Sequence, residues 1–407
     1  MKTVALINPR SPFLVSDSVM PPLGLMYISS YLKSKGVEVT IFDMAANKSL
    51  EIKDIDRHDI FAFTATTPNY PISYTEMIKL KSIYPDSLYV IGGAHATCFH
   101  EKIKHDWDAV IVGEGEITLF EYSKNPVHGV ISGIGKELEN LDVLPIPDRN
   151  FKGFNNYEYN LNSLKTTTAI TSRGCPYKCA FCCKTWGGGV RYHSAEYVIN
   201  EAKILKDKGF DAIMYYDDNL TLVRDRVIKI CEGLKSIGLK WRCFIHANTI
   251  DRELLKKMHD SGCVEVGMGV ESGSNRILKI INKKITKEKV KKVIQTAKEV
   301  GISIKTFMII GLPGEDINSI METYNFLKEA QPDDFDITIY TPFPLTLIWN
   351  NKSEYDINFD SESLDYSKMF YKGKAGDYCS QVSTKGLSRE QIEYYRDYID
   401  KIKIVKD

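Results

Sequence analysis

The sequence predicts an α/β protein in two parts, a doubly wound N-terminal domain followed by a partial barrel of six βα units. Short apolar runs alternate with amphipathic stretches from residue 3 to residue 343. Gly-rich turns follow several of these runs, at the strand ends where parallel sheets bind their ligands. A Pro- and Asn-rich segment, 141–162, interrupts the rhythm once. Of the 407 residues, 43% are hydrophobic and 26% charged, an ordinary globular balance for two or three domains. Lys plus Arg and Asp plus Glu number 53 each, so no net field recruits nucleic acid or an anionic membrane.

The first domain covers residues 1–140. Its predicted strands are TVALIN (3–8), VEVTIFD (37–43), IFAFTAT (60–66), LYVIGG (88–93) and AVIVGEG (109–115). Helices are predicted over 23–36, closing at Gly36, and over 71–85. The turns GGAHAT (92–97) and GEGE (113–116) stand at strand ends. The N-terminal apolar run is too short for a signal peptide, and no run of 18 apolar residues suggests a membrane span. Residues 141–162 read as an extended linker, because Pro145 and Pro147 restrict the residues before them.

From 163 to 345 the alternation resumes as a barrel. Its predicted strands are TTAITS (167–172), AIMYYDD (212–218), WRCFIHA (241–247), VEVGMGVES (264–272), SIKTFMIIG (303–311) and DFDITIYTPF (334–343). Helices fall in the gaps, over 194–209, 222–237, 251–261, 286–300 and 316–330. Chemistry in such a barrel sits at the C-terminal strand ends. Residues 346–407 form a short C-terminal segment that ends in a charged helix. Its tyrosines, Tyr355, Tyr366, Tyr371, Tyr378, Tyr394, Tyr395 and Tyr398, either line a pocket or pack an amphipathic surface.

Four of the nine cysteines crowd into RGCPYKCAFCC (173–183). An odd count without a secretory signal points to a reducing, cytoplasmic setting and away from a disulfide framework. Cys175, Cys179 and Cys182 stand as C-x3-C-x2-C directly after the first barrel strand. Three thiolates on one loop can wrap one face of a [4Fe–4S] cluster and leave the fourth iron open for chemistry. Cys183 adjoins Cys182, points the other way and is left out. A structural zinc site would want a second ligand pair about 12–20 residues on. His193 stands alone instead, and the next cysteine is Cys231.

This cysteine run, with Phe181 before its last Cys, resembles the radical S-adenosylmethionine (radical SAM) enzymes. GVESGS (269–274), FMIIGLPGE (307–315), PPLGL (21–25), GGAHAT and VGEGE (112–116) resemble the branch with an N-terminal cobalamin-binding domain. The resemblance spans about residues 1–345. It implies a [4Fe–4S] cluster on Cys175, Cys179 and Cys182 whose open iron chelates SAM, and reductive cleavage to a 5′-deoxyadenosyl radical. For SAM it points to Phe181, Asp217, Asp218, His246, Gly269, Glu271, Ser272 and Gly311. The residues also admit structural readings. Glu271 could cap a helix, Asp217 and Asp218 could cap the helix starting near 222, His246 could be a satisfied rim residue, and GLPGE (311–315) could be only a turn.

For cobalamin the resemblance points to Pro22, Leu23, Gly24, Asp43, Thr64, Thr66, Gly92, Gly93, His95, Gly113 and Glu114. Related domains often carry D-x-H-x-x-G after strand two, with the His on cobalt. Here Asp43 matches and Ala45 replaces the His, which predicts a cobalt with no protein histidine beneath it. A domain that has lost its ligand and only packs is the alternative. No G-x-G-x-x-G follows strand one, which speaks against NAD. The implied function is methylation of an unactivated carbon of a small-molecule or peptide substrate, through the radical and methylcobalamin. An electron donor such as flavodoxin or ferredoxin is implied. A non-methylating oxidation, ring contraction or cyclisation is the alternative on the same scaffold. A non-catalytic cobalamin or SAM sensor is the alternative of another class, one with no need of a reducible cluster. Methylthiotransferases carry three further N-terminal cysteines, whereas only Cys98 precedes Cys175 here.

Overall fold

The structure is a computed structural model and describes all residues except 1, 12–13, 15, 136–137, 187–188, 369–377 and 403–407. The chain divides into two compact units, Met1–Thr168 with Thr185–Tyr192, and Ala169–Lys184 with His193–Asp407.

The first unit is built on six parallel strands, β1 (Val4–Asn8), β2 (Val39–Asp43), β3 (Ile60–Thr64), β4 (Leu88–Gly92), β5 (Ala109–Val112) and β6 (Gly129–Ser132). The sheet order is β2-β1-β3-β4-β5-β6. Helices α1 (Leu23–Ser34), α2 (Tyr70–Ile83), α3 (Ala94–Ile103) and α4 (Glu116–Lys124) connect the strands. Strands covered on both faces read as unbroken apolar runs, as in VALI of β1 and AVIV of β5, whose residues are all buried. Edge strand β6, GVIS, alternates half-buried and exposed and so carries no apolar run by which to predict it. Helices α3 and α4 are also beyond the sequence reading, because AHATCFHEKI and EITLFEYSK are polar at too many core positions. The chain leaves β1 for β2 on one side and returns for β3 on the other. The carboxyl end between β1 and β3 is therefore the topological switch point, where open α/β sheets hold ligands. Beneath it Phe61 stacks between Tyr84 and Tyr89, with ring centroids 5.6 and 5.5 Å away.

The segment after 140 is shaped more than an extended linker. It forms single turns at Leu141–Val143 and Phe154–Asn156, then β7 (Tyr159–Leu161) pairs antiparallel with β8 (Leu164–Ala169). Polar anchors tie it to the first unit. Ser29 Oγ and Lys33 Nζ both donate to Asp148 at 2.6 Å, and Asn156 Nδ2 donates to Ala46 O at 3.1 Å.

In the second unit, β9 (Ser172–Arg173) opens the cysteine loop, while β10 (Arg191–Tyr192) belongs to the first unit. Five parallel strands then curl as a half-barrel in chain order: β11 (Ala212–Tyr215), β12 (Lys240–Ile245), β13 (Cys263–Glu271), β14 (Ser303–Ile310) and β15 (Asp334–Ile339). Ala169 O takes the amide of Tyr216 at 2.8 Å, which joins the entering strand to this sheet. Helices α5 (Ala195–Asp207), α6 (Arg224–Ile237), α7 (Arg252–Asp260), α8 (Asn275–Ile280), α9 (Lys287–Val300) and α10 (Ile317–Ala330) fill the connections. Strands β12 and β14 alternate fully buried with half-buried residues, the pattern of a barrel wall packed more tightly on one face than the other.

The C-terminal segment runs through α11 (Leu347–Asn350) and a short hairpin of β16 (Ile357–Asn358) and β17 (Ser383–Thr384) to α12 (Arg389–Asp400). Arg396 Nε donates to Ile337 O of β15 at 3.2 Å. Tyr378 bonds Asp397 and Arg396, and Tyr366 donates to Pro342 O at 2.8 Å, so these tyrosines pack the segment down. Tyr371 lies outside the described residues. Among the described residues no helix is long and apolar enough to cross a membrane.

Candidate active site

The cysteine loop is pinned at its root and its apex. At the root, Thr171 N, Thr171 Oγ1 and Ser172 Oγ donate to the buried Asp217 carboxyl at 2.6, 2.5 and 2.6 Å. Asp217 therefore clasps the loop rather than capping a helix. Asn219 caps the following turn, and α6 starts only at Arg224. Around the apex, Ala180 N donates to Ile281 O (2.9 Å), Asn282 Nδ2 to Lys178 O (2.6 Å) and Lys184 Nζ to Cys175 O (2.9 Å).

The three thiols are pushed up by burial first and by neighbouring negative charge second. Cys175 and Cys179 are both raised, with Asp218 adding to the first and Glu271 and Cys175 to the second. Cys182 reaches the surface yet is ringed by protein atoms. Desolvation, Cys179, Asp218 and Cys175 push it up to about 12. Thiols crowded, desolvated and set near carboxylates in this way need a cation or a cationic cluster beside them to ionise together. Cys183 has a different environment, donating to Pro344 O at 3.4 Å.

Lys283 and Glu271 form a buried ion pair beside these thiols, with Nζ 2.7 Å from Oε1. Burial works against the Lys283 charge, and Glu271 and Cys179 outweigh it and raise the pKa. Nζ also lies 5.8 Å from the Phe181 ring centroid. Gly269 makes room for the pair, because a Cβ there would stand 2.4 Å from Glu271 Oε1 and 3.0 Å from Lys283 Nζ. Glu271 itself adopts a left-handed φ of 73° where the β13–β14 register slips. That strain is held by tertiary contact, as is common at functional sites. Ser274, not Glu271, stands at the N-cap position of α8.

His246 stacks on Tyr177 of the cysteine loop, at 3.8 Å between centroids. Desolvation first and Lys283 second lower its pKa to about 4, so the ring is neutral. Its Nδ1 accepts the amide of Asn248 at 3.2 Å, which leaves the proton on Nε2. Nε2 is buried beside the Lys283 backbone. Ser272 and Gly311 each sit against protein neighbours. Ser272 Oγ lies 3.3 Å from Thr323 Oγ1, and Gly311, at φ 89°, packs under Ile392 and Val382 of the C-terminal segment.

In the first unit the remaining predicted residues follow β1 to β5 at the carboxyl edge of the sheet. Pro22, Leu23 and Gly24 start α1, and a Cβ on Gly24 would meet nothing within 4 Å. Thr64, Gly92 and Gly93 end β3 and β4. Gly93 has φ 92°, and a Cβ there would meet Thr64 Oγ1 at 2.8 Å and Ala65 O at 3.0 Å. Thr66 bonds Asn69, and Gly113 N donates to Thr97 Oγ1 at 3.1 Å. Glu114 is committed to Arg191 Nη1 at 3.0 Å and to Nη2. His95 is stacked 4.1 Å from Tyr70 and 4.9 Å from Phe99, and burial lowers its pKa to about 4. Both its ring nitrogens lack a partner among the described residues. Asp43 is fully engaged. Its Oδ1 accepts Asn8 Nδ2 (2.9 Å) and the amides of Ala45 (3.1 Å) and Ala46 (3.2 Å), and its Oδ2 accepts Tyr157 Oη (2.6 Å).

Comparison with known proteins matches residues 169–327 to the radical SAM superfamily and residues 12–122 to the B12 binding domain. The chain is 31% identical, over 97% of its length and 92% of the relative's, to the uncharacterized methyltransferase PH0819 of Pyrococcus horikoshii. The chain belongs to the cobalamin-binding radical SAM enzymes. Another relative of this radical SAM chain is the anaerobic magnesium-protoporphyrin IX monomethyl ester cyclase of Rubrivivax gelatinosus. That protein is 27% identical, with 94% of this chain and 74% of the relative covered. Among solved structures, the radical SAM methyltransferase TsrM of Kitasatospora setae shares the fold, with a TM-score of 0.76 at 13% identity. The match covers 89% of this chain and 79% of that one.

The cofactors of this radical SAM enzyme are a [4Fe–4S] cluster, SAM and cobalamin. The three desolvated thiols on a pinned loop fit the cluster's donor set. Among the described residues no three His, Cys, Asp or Glu side chains converge on a single metal ion. A cubane asks for a different spacing, since each thiolate binds its own iron. The bare backbone at Gly92–Gly93 and the unpartnered His95 nitrogens fit a ligand with polar groups over the first sheet. Sequence reasoning missed Lys283. Its position in a lysine-rich run looks solvated, and only the fold brings it to Glu271.

Proposed function

We propose that this chain methylates an unactivated carbon of a small-molecule or peptide substrate. The observation that carries the reading is the clasped three-thiol loop in a chain that also holds a B12 binding domain. In this reading residues 1–140 bind cobalamin, 141–162 link, 163–345 form the radical barrel and 346–407 cap it. When bound, the cluster and SAM supply a carbon-centred radical while cobalamin carries the methyl group. The chain's own residues hold and exclude. Cys175, Cys179 and Cys182 ligate three irons. The Lys283–Glu271 pair and the Nε2–H of His246 present a cation, an anion and a neutral donor to the amino-acid end of SAM. Asp218 stands next to the clasp, its carboxyl raised by desolvation and by Asp217. The half-barrel wall keeps water from the reacting carbon. His95 would offer ring nitrogens to cobalamin, and Ala45 would supply its metal with no imidazole ligand.

The test is turnover with reductant, cobalamin, candidate substrates and methyl-labelled SAM. Label should reach a substrate carbon, with S-adenosylhomocysteine and 5′-deoxyadenosine formed in near-equal amounts. The cyclase relative favours one second reading, a radical reaction without methyl transfer. Product formation with 5′-deoxyadenosine and no label would establish it instead.

A further inference from the structure

The protein's charges balance, but one stretch does not. Residues 275–292, NRILKIINKKITKEKVKK, carry eight Lys and Arg against a single carboxylate, Glu288. Three of these charges are neutralised locally. Lys283 is buried on Glu271, Arg276 pairs with Asp316 at 2.8 Å, and Lys291 pairs with Glu329. Lys279, Lys284 and Lys289 are exposed and Lys287 half-exposed, and none makes an ion pair among the described residues. Glu288 is occupied by Asn275 Nδ2 at 3.0 Å.

The position of this stretch gives it meaning. The turn between α8 and α9 is bolted to the cysteine loop. Asn282 Nδ2 reaches Lys178 O, Ala180 N reaches Ile281 O, and Asn248, next to the ring that stacks on Tyr177, donates to Lys284 O at 2.7 Å. Lys178, exposed between Cys175 and Cys179, extends the positive surface onto the loop itself. Lysines on and flanking this anchored turn, without ion-pair partners among the described residues, steer and orient an acidic partner. Single-stranded RNA is a poorer fit, because its recognition uses aromatic platforms for bases and residues 275–300 contain no Phe, Tyr or Trp.

We propose that Lys279, Lys284 and Lys287, beside the cysteine loop, form the docking surface for an acidic one-electron carrier protein of the flavodoxin class. The inference rests on the cluster assignment above. One electron leaves the carrier's anionic flavin hydroquinone, which becomes the neutral semiquinone, and enters the oxidised cluster. No bond forms between the two proteins.

The test uses the full-length, cluster-reconstituted protein and the triple variant Lys279→Glu/Lys284→Glu/Lys287→Glu. Binding of a labelled acidic flavodoxin is followed by fluorescence anisotropy at ~50 and ~200 mM salt. The wild type should bind several-fold more weakly at the higher salt. The variant should lose about tenfold or more in affinity, and its salt dependence should flatten. Flavodoxin-driven 5′-deoxyadenosine formation should slow in step, while dithionite-driven formation stays at the wild-type rate. The triple Lys→Gln variant, checked for an unchanged melting curve, should shift in the same direction by less. An affinity and salt slope equal to wild type in both variants would overturn the surface. So would RNA binding that the reversal abolishes while flavodoxin binding persists. If dithionite itself yields no 5′-deoxyadenosine from the wild type, the cluster reading fails, and the anisotropy result still decides the surface separately.

Discussion

Glu315 ends the GLPGE turn as a fully buried carboxyl. Its Oε2 accepts the amides of Gly311 (2.7 Å) and Leu312 (3.1 Å), while Oε1 has no partner among the described residues. Desolvation outweighs those two amides and raises its pKa from 4.5 to about 8. A raised pKa contributes stability that is complete below the unfolded value and is lost as the unfolded carboxyl ionises while the folded one stays neutral. The loss therefore accumulates between pH 4.5 and about 8 and levels off above. Glu315→Gln keeps an acceptor for both amides and removes the titration. Its stability relative to wild type should rise across that window in denaturant unfolding, and a pH-independent difference would refute the neutral carboxyl. The cysteines give a second prediction at this scale. Cys175→Ala, Cys179→Ala or Cys182→Ala should each abolish the cluster's iron and reductive SAM cleavage. Cys183→Ala, whose thiol faces Pro344 O, should retain most of both.

At the scale of elements, the chemistry depends on how strand ends hold loops. The end of β11 clasps the root of the cysteine loop through three short hydrogen bonds to one carboxyl. Asp217→Ala would leave three buried donors unpaired and should cost on the order of 3 kcal/mol. Iron incorporation should fall with it, although Asp217 is no ligand. Wild-type denaturation and iron content in that variant would show that the loop is held elsewhere. Many of the strands were legible, because buried parallel strands leave unbroken apolar runs such as VALI and AVIV. So was the cysteine loop, whose spacing is local. What escaped reading is settled by distance along the chain. Lys283 meets Glu271 only across the bulged end of β13, and Tyr157 reaches Asp43 from 114 residues away. The lysine run was visible as letters but hidden in a net charge of zero. Edge strand β6 and the polar helices α3 and α4 lack the periodicity that burial on one face imposes.

At the scale of the whole molecule, the chain divides into two compact units, and in the proposed function each builds one cofactor site from its own strand ends. Changes in sites that share no partners act additively. Gly93 is the sharpest probe in the first unit. At φ 92° and ψ −170° it occupies a region open in practice only to glycine, and any Cβ would collide with Thr64 and Ala65. Gly93→Val should cost about 1–3 kcal/mol of local strain and displace the backbone over which cobalamin would lie. The reconstituted variant should keep about four irons per chain and lose cobalamin absorbance. Cys179→Ala should do the reverse, binding cobalamin without iron. Activity then separates the two halves of the reaction. Gly93→Val should still convert SAM to 5′-deoxyadenosine under reductant while transferring no labelled methyl group, because in the proposed function radical generation draws on the second unit's residues and methyl delivery on the first. Loss of iron from Gly93→Val, or methyl transfer by it without bound cobalamin, would sink this division of labour.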